Sequence, residues 1–125
     1  MKKFSSSWNS SKNRGKQRKY RFNAPLHIKQ KFLHSPLSKE LKKKYRKRSM
    51  GLRKGDKVKI LSGQFRKHEG KVERIDAKKT RIFVNGVEIS RKDGTKRMQP
   101  LNPSNIIITE LNMDDKLRQK ILERK

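Results

Sequence analysis

Cysteine, acidic residues and long apolar runs are absent or scarce in this sequence. With no cysteine among its 125 residues, the chain cannot form disulfides, thiolate metal sites or a cysteine nucleophile. The longest apolar run, Ile106 to Ile108, is far shorter than the roughly 20 residues that a membrane-spanning helix needs. Hydrophobic residues make up only 30% of the chain. Length and composition therefore allow one small domain with appendages, and not two independent cores.

Side-chain combinations that carry enzyme chemistry are also missing. The three histidines, His27, His34 and His68, lie far apart in the sequence, with no cysteine to complete a set of metal ligands. No glycine-rich phosphate loop, nucleophile elbow or paired-carboxylate motif occurs. We therefore expect a protein that is not an enzyme, holds no metal or cofactor, and takes no small-molecule substrate.

Basic residues dominate what is present. The chain has 37 Lys and Arg against 11 Asp and Glu, a formal net charge of +26. Residues 1–54 alone carry 19 of the basic residues and one acid, Glu40. Such a chain needs an anionic partner, and nucleic acid is favoured because each phosphate contact releases condensed counterions. An anionic membrane usually requires a basic amphipathic helix with a wide apolar face, so we expect no membrane partner.

The first fifty residues read as a basic arm followed by a basic extension. Residues 1–21 are mostly Ser, Asn, Lys and Arg, so we expect an arm that is disordered until it binds. An apolar signal segment and the apolar face of a transit-peptide helix are both missing from it. Trp8 and Tyr20 are suited either to stack on bases or to pack against protein, and the sequence leaves both open.

Residues 22–50 form the predicted helical extension. A short helix is expected to start near Pro25, and a second to start with Ser35 as its N-cap. Leu37, Leu41 and Tyr45 then follow at i, i+4 and i+8 as a narrow apolar stripe. We expect the stripe to pack on protein and the lysines of the other faces to contact phosphate. The alternative for those lysines is a solvated charged face.

Residues 51–110 carry the pattern of short strands. Val58 and Ile60 alternate with lysines, and further β-rich runs follow at residues 80–84, 87–91, 96–101 and 105–109. Asn85-Gly86 is a two-residue turn signal that predicts a hairpin between the runs on either side of it. About five closely spaced strands predict a small antiparallel barrel, because closure removes exposed strand edges.

A glycine-bounded loop interrupts the first strands. Gly63 and Gly70 bracket it, at positions where the backbone is expected to turn sharply or to approach another segment. The loop between them presents Arg66, Lys67 and His68 outward. At the other end of the domain, residues 111–125 read as a helix with Asp114 and Asp115 in its first turn. Its predicted apolar stripe is Met113, Leu117 and Ile121.

Arg53 to Asp76 resembles a KOW motif, with Gly70 at the hallmark glycine and Val58, Ile60 and Val72 at the apolar positions. Transcription elongation factors carry this motif too. The flanking residues 22–27, 35–41, 48–50 and 120–125 are similar to the KOW protein family of the large ribosomal subunit in its archaeal and eukaryotic form. That family is number twenty-four in the bacterial list and twenty-six in the eukaryotic one, and the resemblance covers residues 22–125.

This resemblance implies an SH3-like barrel and a structural, rRNA-binding role. The implied partners are large-subunit ribosomal RNA, near its 5′ domain, and neighbouring ribosomal proteins near the polypeptide exit tunnel. The implied place is the cytoplasmic ribosome, which the protein would join early in assembly. The alternative is a KOW-type transcription elongation or chromatin-associated factor, which would need a second domain to contact polymerase.

We expect the preorganised barrel and the N-terminal arm to hold RNA together. A-form RNA hides its base edges in a deep, narrow groove, so recognition should rest on shape, phosphate and 2′-OH contacts. The residues predicted to contact RNA are Lys12, Arg14, Lys16, Arg18, Lys19, Arg21, Lys42, Lys43, Arg46, Arg48, Arg53, Lys54, Lys57, Lys59, Arg66, Lys67 and His68.

Overall fold

Helices lie towards both ends of the chain and strands lie between them in the computed structural model, which describes residues 4–5 and 11–124. The helices are α1 (Arg14–Asn23), α2 (Leu26–Lys31), α3 (Lys39–Tyr45) and α4 (Lys116–Glu123). The strands are β1 (His34–Pro36), β2 (Ser49–Gly51), β3 (Lys57–Ile60), β4 (Glu69–Asp76), β5 (Arg81–Val84), β6 (Glu88–Ser90), β7 (Lys96–Met98) and β8 (Ile106–Glu110). The predicted fold class, mainly antiparallel β with a helical extension and a C-terminal helix, is confirmed.

The main sheet has four strands in the order β5-β4-β3-β8. All its pairings are antiparallel, with Val58 opposite both Gly70 of β4 and Ile108 of β8. Leu101, after β7, forms an antiparallel bridge with Ile82 and so brings a further segment to the outer edge of β5. Register shifts next to Val58 and next to Val72 mark bulges, which increase the local twist.

Alternation along these strands builds the core. Val58, Ile60, Val72 and Ile82 point inward and are almost fully buried, while Lys57 and Lys59 lie on the other face of β3. β1 and β2 pair to form a small second sheet, and the parallel bridge from Leu37 to Ile108 connects it to β8. The core lies between these two sheets and receives further side chains from α3 and α4. The two sheets and this core are called the barrel below.

The hairpin predicted across Asn85-Gly86 is wrong, although the turn itself is present. Gly86 has φ +81°, and the amide of Val87 donates to the carbonyl of Val84 at 3.2 Å. However, β5 pairs with β4 and β6 pairs with β7. Val87 is fully buried, and its carbonyl accepts a hydrogen bond from the amide of Gln99, so the chain leaves the main sheet there.

The predicted start of the second helix in the extension is also wrong. Ser35 lies in β1, fully buried, and its hydroxyl donates to the carbonyl of Pro103 at 2.7 Å. The N-cap of α3 is Ser38, whose hydroxyl accepts from the amide of Leu41. Either serine could cap a helix, but the long-range hydrogen bond to Pro103 keeps Ser35 in β1 and leaves Ser38 as the cap. Helix α1, in turn, lies across the boundary at residue 21 that the sequence suggested for the arm.

The apolar stripe predicted for the C-terminal helix faces the wrong way. Leu117 and Ile121 are 67% and 43% exposed, whereas Leu122 and the charged Arg118 are buried. The N-cap of α4 is Asp115, whose carboxylate accepts from the amide of Leu117 at 2.8 Å. Arg118 decides the orientation because its ion pair with the barrel, described below, requires it to face inward.

Candidate nucleic-acid interface

The loop that follows β3 is compact and closed at its base by backbone hydrogen bonds. The amide of Ile60 donates to the carbonyl of His68, and the amide of Lys67 donates to the carbonyl of Ile60, both at 2.9 Å. Phe65 is partly buried against the core, so the apolar side chain of the loop fixes it to the barrel. Arg66 and Lys67 are exposed at its tip. The loop therefore holds two adjacent cations on a fixed backbone.

At both predicted structural glycines, the surrounding structure explains why the residue is glycine. Gly63 has φ +95°, which only glycine adopts without strain, and opens onto free space. Gly70 lies within β4, where a Cβ would come within 2.6 Å of the carbonyl oxygen of Asn85 and 2.9 Å of a methyl of Val84. Gly70 thus permits a close approach of two backbones, whereas Gly63 permits a turn.

His68 differs in position from its two basic neighbours. Its Nε2 lies 3.1 Å from the carbonyl oxygen of Asn85, and the ring covers Gly86, where a Cβ would come within 2.8 Å of it. The side chain is half-buried. The structure therefore places His68 between the loop and the 85–86 turn, while Arg66 and Lys67 face solvent.

Three of the predicted cations near β3 already have carboxylate partners. Lys57 pairs with Glu110 and Lys59 with Glu69, each at 2.9 Å, and Arg53 pairs with Asp115 at 2.5 Å. The hydrogen bond that Lys57 donates to Glu110 raises the pKa of Lys57, and the hydrogen bond that Glu69 accepts from Lys59 lowers the pKa of Glu69. The two lysine pairs lie on the outer face of the sheet, where water and salt weaken ion pairs.

The six predicted cations of the arm lie on or beside α1. Asn13 caps the helix by accepting from the amides of Gly15 and Lys16, which fixes where the helix starts. No residue of α1 is buried, and none of its cations has an ion pair in the part of the chain that the structure describes. Lys12, Arg14, Lys16, Arg18, Lys19 and Arg21 are all exposed.

Aromatic contacts hold α1 to the extension. The ring of Tyr20 lies 4.9 Å from that of Phe4 and 6.3 Å from that of Phe32, centroid to centroid. The guanidinium of Arg21 lies 5.7 Å from the Phe32 ring. Of the two possibilities for Tyr20, packing against protein is therefore the one observed. Trp8 lies outside the described residues.

The cations of the extension surround a helix that packs on the barrel. Leu41 and Tyr45 of α3 are partly buried against the core, as the predicted stripe requires. Lys42, Lys43 and Arg48 are exposed, without ion pairs among residues 11–124. Arg46 ends α3 in the left-handed conformation, with φ 54°.

A buried ion pair that the sequence did not predict connects α4 to the barrel. Both guanidinium NH2 groups of Arg118 donate to the carboxylate of Asp56, at 2.6 and 2.7 Å, and the two residues are 2% and 0% exposed. Arg118 also donates to the carbonyls of Gly51 and Asn112, and Asp56 accepts from the amide of Arg53. The pair holds β2, the turn before β3 and α4 together.

A second basic surface, also not predicted, lies in a groove of about 890 Å³ between the end of α1 and the strands β4, β5 and β7. The exposed ring of Phe22 and the half-buried ring of Phe83 both line it. Eight cations, two acids and Thr80 make up its polar lining. No pattern along the sequence points to this groove, because its walls come from segments that are far apart in the chain.

Neither a metal-binding cluster nor a membrane-spanning helix occurs in the described part of the chain. Among residues 4–5 and 11–124, no three His, Cys, Asp or Glu side chains come together in a way that could hold a metal ion. The helices described are all too short or too polar to cross a membrane.

Comparison with known proteins identifies the family. The family of the eukaryotic ribosomal proteins L26 and their archaeal counterparts, which carry the number 24, matches residues 11–125. The chain belongs to this family. The Large ribosomal subunit protein uL24 of Methanothrix thermoacetophila is 50% identical over 114 residues, which cover 91% of this chain and 98% of that protein. The protein of the same name from Korarchaeum cryptofilum is 46% identical over 110 residues, covering 88% of this chain and 84% of that protein.

Membership in this ribosomal protein family confirms the resemblance found in the sequence. The matched region, residues 11–125, contains the helical extension, the KOW-like strands and the C-terminal helix. Members are structural ribosomal proteins and not enzymes, so the expectation that this chain is not an enzyme is confirmed. The match starts at residue 11, and α1 therefore lies within the family's own extent.

Proposed function

We propose that this protein, a structural constituent of the large ribosomal subunit, binds large-subunit ribosomal RNA through its barrel loop and its N-terminal extension. The observation that carries the proposal is the surplus of unpaired cations. The chain has 37 basic residues, and the described part contains four ion pairs. RNA phosphates would neutralise the remainder and release condensed counterions.

The loop supports the barrel's share of this function. Arg66 and Lys67 lie at the tip of a segment that is closed by hydrogen bonds and fixed to the core by Phe65. A fixed backbone loses little conformational freedom on binding, so more of the interaction is retained as affinity. Arg66 can donate two parallel hydrogen bonds to one phosphate, whereas Lys67 offers a single charge.

The N-terminal extension, including α1, supports the other part of the proposed RNA binding. The cations of α1 and α3, with Arg46 and Arg48 after α3, are exposed on the described surface, and α1 itself has no buried residue. Such a helix has little packing of its own to stabilise it, so contact with phosphate would order it further. We propose that α1 and the preceding residues lie along RNA, and that Lys42, Lys43, Arg46 and Arg48 contact the same RNA.

The location proposed within the subunit rests on the family resemblance. It comprises the 5′ domain of the RNA, neighbouring proteins near the polypeptide exit tunnel, and early binding during assembly. Crosslinking in cells, followed by sequencing of the bound RNA, tests this location. We expect reads concentrated in the 5′ domain of large-subunit RNA. Reads dominated by messenger RNA or other nascent transcripts would instead favour a transcription or chromatin factor.

The loop is tested by the salt dependence of binding to a fragment of the 5′ domain. Each lost phosphate contact should lower the slope of log K against log salt concentration by about 0.7 to 0.9. We expect the double variant Arg66→Ala with Lys67→Ala to lose about one to two units of slope, with an unchanged thermal midpoint. An unchanged slope would show that the loop does not contact phosphate.

The matched control replaces the paired lysines, Lys57→Ala with Lys59→Ala. It removes the same number of charges from the adjacent strand, but these charges already have carboxylate partners. Its slope should fall by less than that of the loop variant. Deletion of residues 1–21 removes eight basic residues and should lower the slope by about three or more units if half of them contact phosphate.

A further inference from the structure

The groove between the end of α1 and the strands β4, β5 and β7 combines aromatic rings with cations. Phe22 is 81% exposed at the penultimate position of α1, the largest exposure among the large hydrophobic side chains described. Its ring lies 5.9 Å from the ammonium group of Lys29. An aromatic ring held in water loses the hydrophobic gain of burial, so a binding partner is a physical reason for such exposure.

A second aromatic surface lies on the opposite wall. The guanidinium of Arg74 lies 4.2 Å from the centroid of the Phe83 ring, across the β4–β5 pair. Arg74 is exposed and Phe83 is half-buried, so the ring supports the guanidinium from below and leaves its outer face open. Bases stack on aromatic rings and on guanidinium planes in the same way. The groove therefore offers two stacking surfaces, Phe22 and Arg74.

The charge around these surfaces suits a phosphate chain. Cations line the groove from both walls, and Arg21, Lys96 and Arg97 are exposed and have no ion pair among the residues described. One of the two acids in the lining, Asp76, accepts a hydrogen bond from the amide of Lys79 and so stabilises the turn after β4. A ligand here must be anionic and must also carry flat apolar rings.

Paired RNA meets only half of this requirement. An A-form helix offers phosphates, but its bases are stacked on each other and cannot reach a protein ring. An unpaired nucleotide, in a bulge or a loop, offers a phosphate and an open base together. An acidic protein segment would meet the cations but would give no reason for two stacking surfaces.

We propose that this groove binds an unpaired nucleotide of RNA, with the base stacked on Phe22 or on the Arg74–Phe83 pair and the adjacent phosphates on the surrounding cations. This inference rests on the proposed RNA binding and specifies a second mode of it. The loop would contact phosphates of paired RNA, whereas the groove would select a base that has left its helix.

The test compares two RNA hairpins with the full-length protein. One carries a single bulged 2-aminopurine, and in the other the same 2-aminopurine is paired with an added uridine. We expect the bulged hairpin to bind about 5- to 50-fold more tightly, because stacking of one base on an aromatic side chain contributes on this scale. We also expect 2-aminopurine fluorescence to be quenched on binding, because stacking quenches this base.

Phe22→Leu keeps an apolar side chain but removes the ring. We expect it to lose most of the preference and of the quenching, while its affinity for the paired hairpin stays unchanged. Leu117→Ala is the matched control, since Leu117 is another exposed apolar side chain but lies on α4, away from the groove. Arg74→Ala tests the other wall, with the thermal midpoint measured to confirm folding.

Three outcomes would overturn the groove proposal. One is equal affinity of the wild-type chain for both hairpins without quenching. Another is a preference for the bulge that both Phe22→Leu and Arg74→Ala retain. The third is normal RNA binding by these variants together with poor incorporation into ribosomal subunits, which would indicate a protein partner. All three leave the salt-dependent binding of the paired hairpin intact, so they are distinguishable from failure of the proposed function.

Discussion

Some cations on the barrel form ion pairs with carboxylates, whereas the cations on the N-terminal extension form none among the described residues. On the barrel, Lys57 and Lys59 pair with Glu110 and Glu69, and Arg118 is buried against Asp56. On α1 and α3, none of the cations has a carboxylate partner among the described residues. The same residue types therefore stabilise the fold where they are paired with carboxylates, whereas on α1 and α3, as at Arg66 and Lys67 of the loop, they remain available to an anionic partner. Net charge alone does not make this distinction.

The largest effect should come from removing Arg118, the buried cation of α4. Arg118→Ala leaves the Asp56 carboxylate buried without its charged partner, which costs about 3–5 kcal/mol in the free energy of unfolding. Urea denaturation measures the loss. Arg124→Ala is the control, because Arg124 is an exposed cation at the C-cap of the same helix. A loss of less than about 1 kcal/mol for Arg118→Ala would show that solvent reaches the pair.

Gly70→Val should have the next largest effect, and on folding before RNA binding. The new Cβ would meet the carbonyl oxygen of Asn85, and overpacking of this kind costs about 1–3 kcal/mol. Thermal denaturation is the measurement. Gly51→Ala serves as the control, because its added Cβ would meet only the side chain of His34, at 3.4 Å. Equal midpoints for the two variants would contradict the role given to Gly70.

Removing unpaired cations from the extension should separate binding from stability. Lys42→Ala with Lys43→Ala should lower the salt slope of RNA binding by about one to two units. Alanine is a better helix former than lysine and relieves like-charge repulsion, so the free energy of unfolding should stay equal or rise by about 0.2–0.5 kcal/mol. Fluorescence titration at several salt concentrations tests the first expectation. A fall in stability would mean that these lysines support the fold.

The smallest effect concerns the pH dependence of one exposed pair. The hydrogen bond from Lys59 lowers the pKa of Glu69 in the folded protein. The contribution of the Lys59–Glu69 pair to stability is therefore fully present above the ordinary pKa of glutamate. It is lost as the pH falls through the lower pKa that Glu69 has in the folded protein. Glu69→Gln should lower the thermal midpoint slightly at pH 7, and the difference from wild type should disappear in acid. Glu88→Gln, on β6, is the control, because Glu88 has no ion pair among the described residues.

The sequence predicts those parts of the fold that depend on local patterns. Alternation at Val58 and Ile60 predicts β3, and the basic loop lies where its glycines indicate. The buried face of α4 is missed because counting apolar residues selects Leu117 and Ile121. Arg118 is buried only because Asp56, 62 positions earlier, accepts its charge. No local pattern contains that information.

The candidate site also has parts that local sequence patterns predict and parts that depend on contacts between distant residues. The arm, the extension and the loop are predictable because their cations are dense in the sequence and exposed in the fold. The partners that neutralise Lys57 and Lys59 are not predictable, since Glu110 lies on a different strand and Glu69 across the loop. The groove between Phe22 and Phe83 also cannot be predicted from the sequence, because it depends on the pairing of β4 with β5, which brings Phe83 beside Arg74.

The Asp56–Arg118 pair also sets an order of events during synthesis. A ribosome making this chain completes the Asp56 carboxylate 62 residues before it adds the arginine that neutralises it. A chain that has all the strands but not yet α4 therefore lacks the partner of a carboxylate that the finished protein buries completely. Docking of the last helix supplies that partner, and we expect a chain that stalls before α4 to be less stable and more sensitive to proteases.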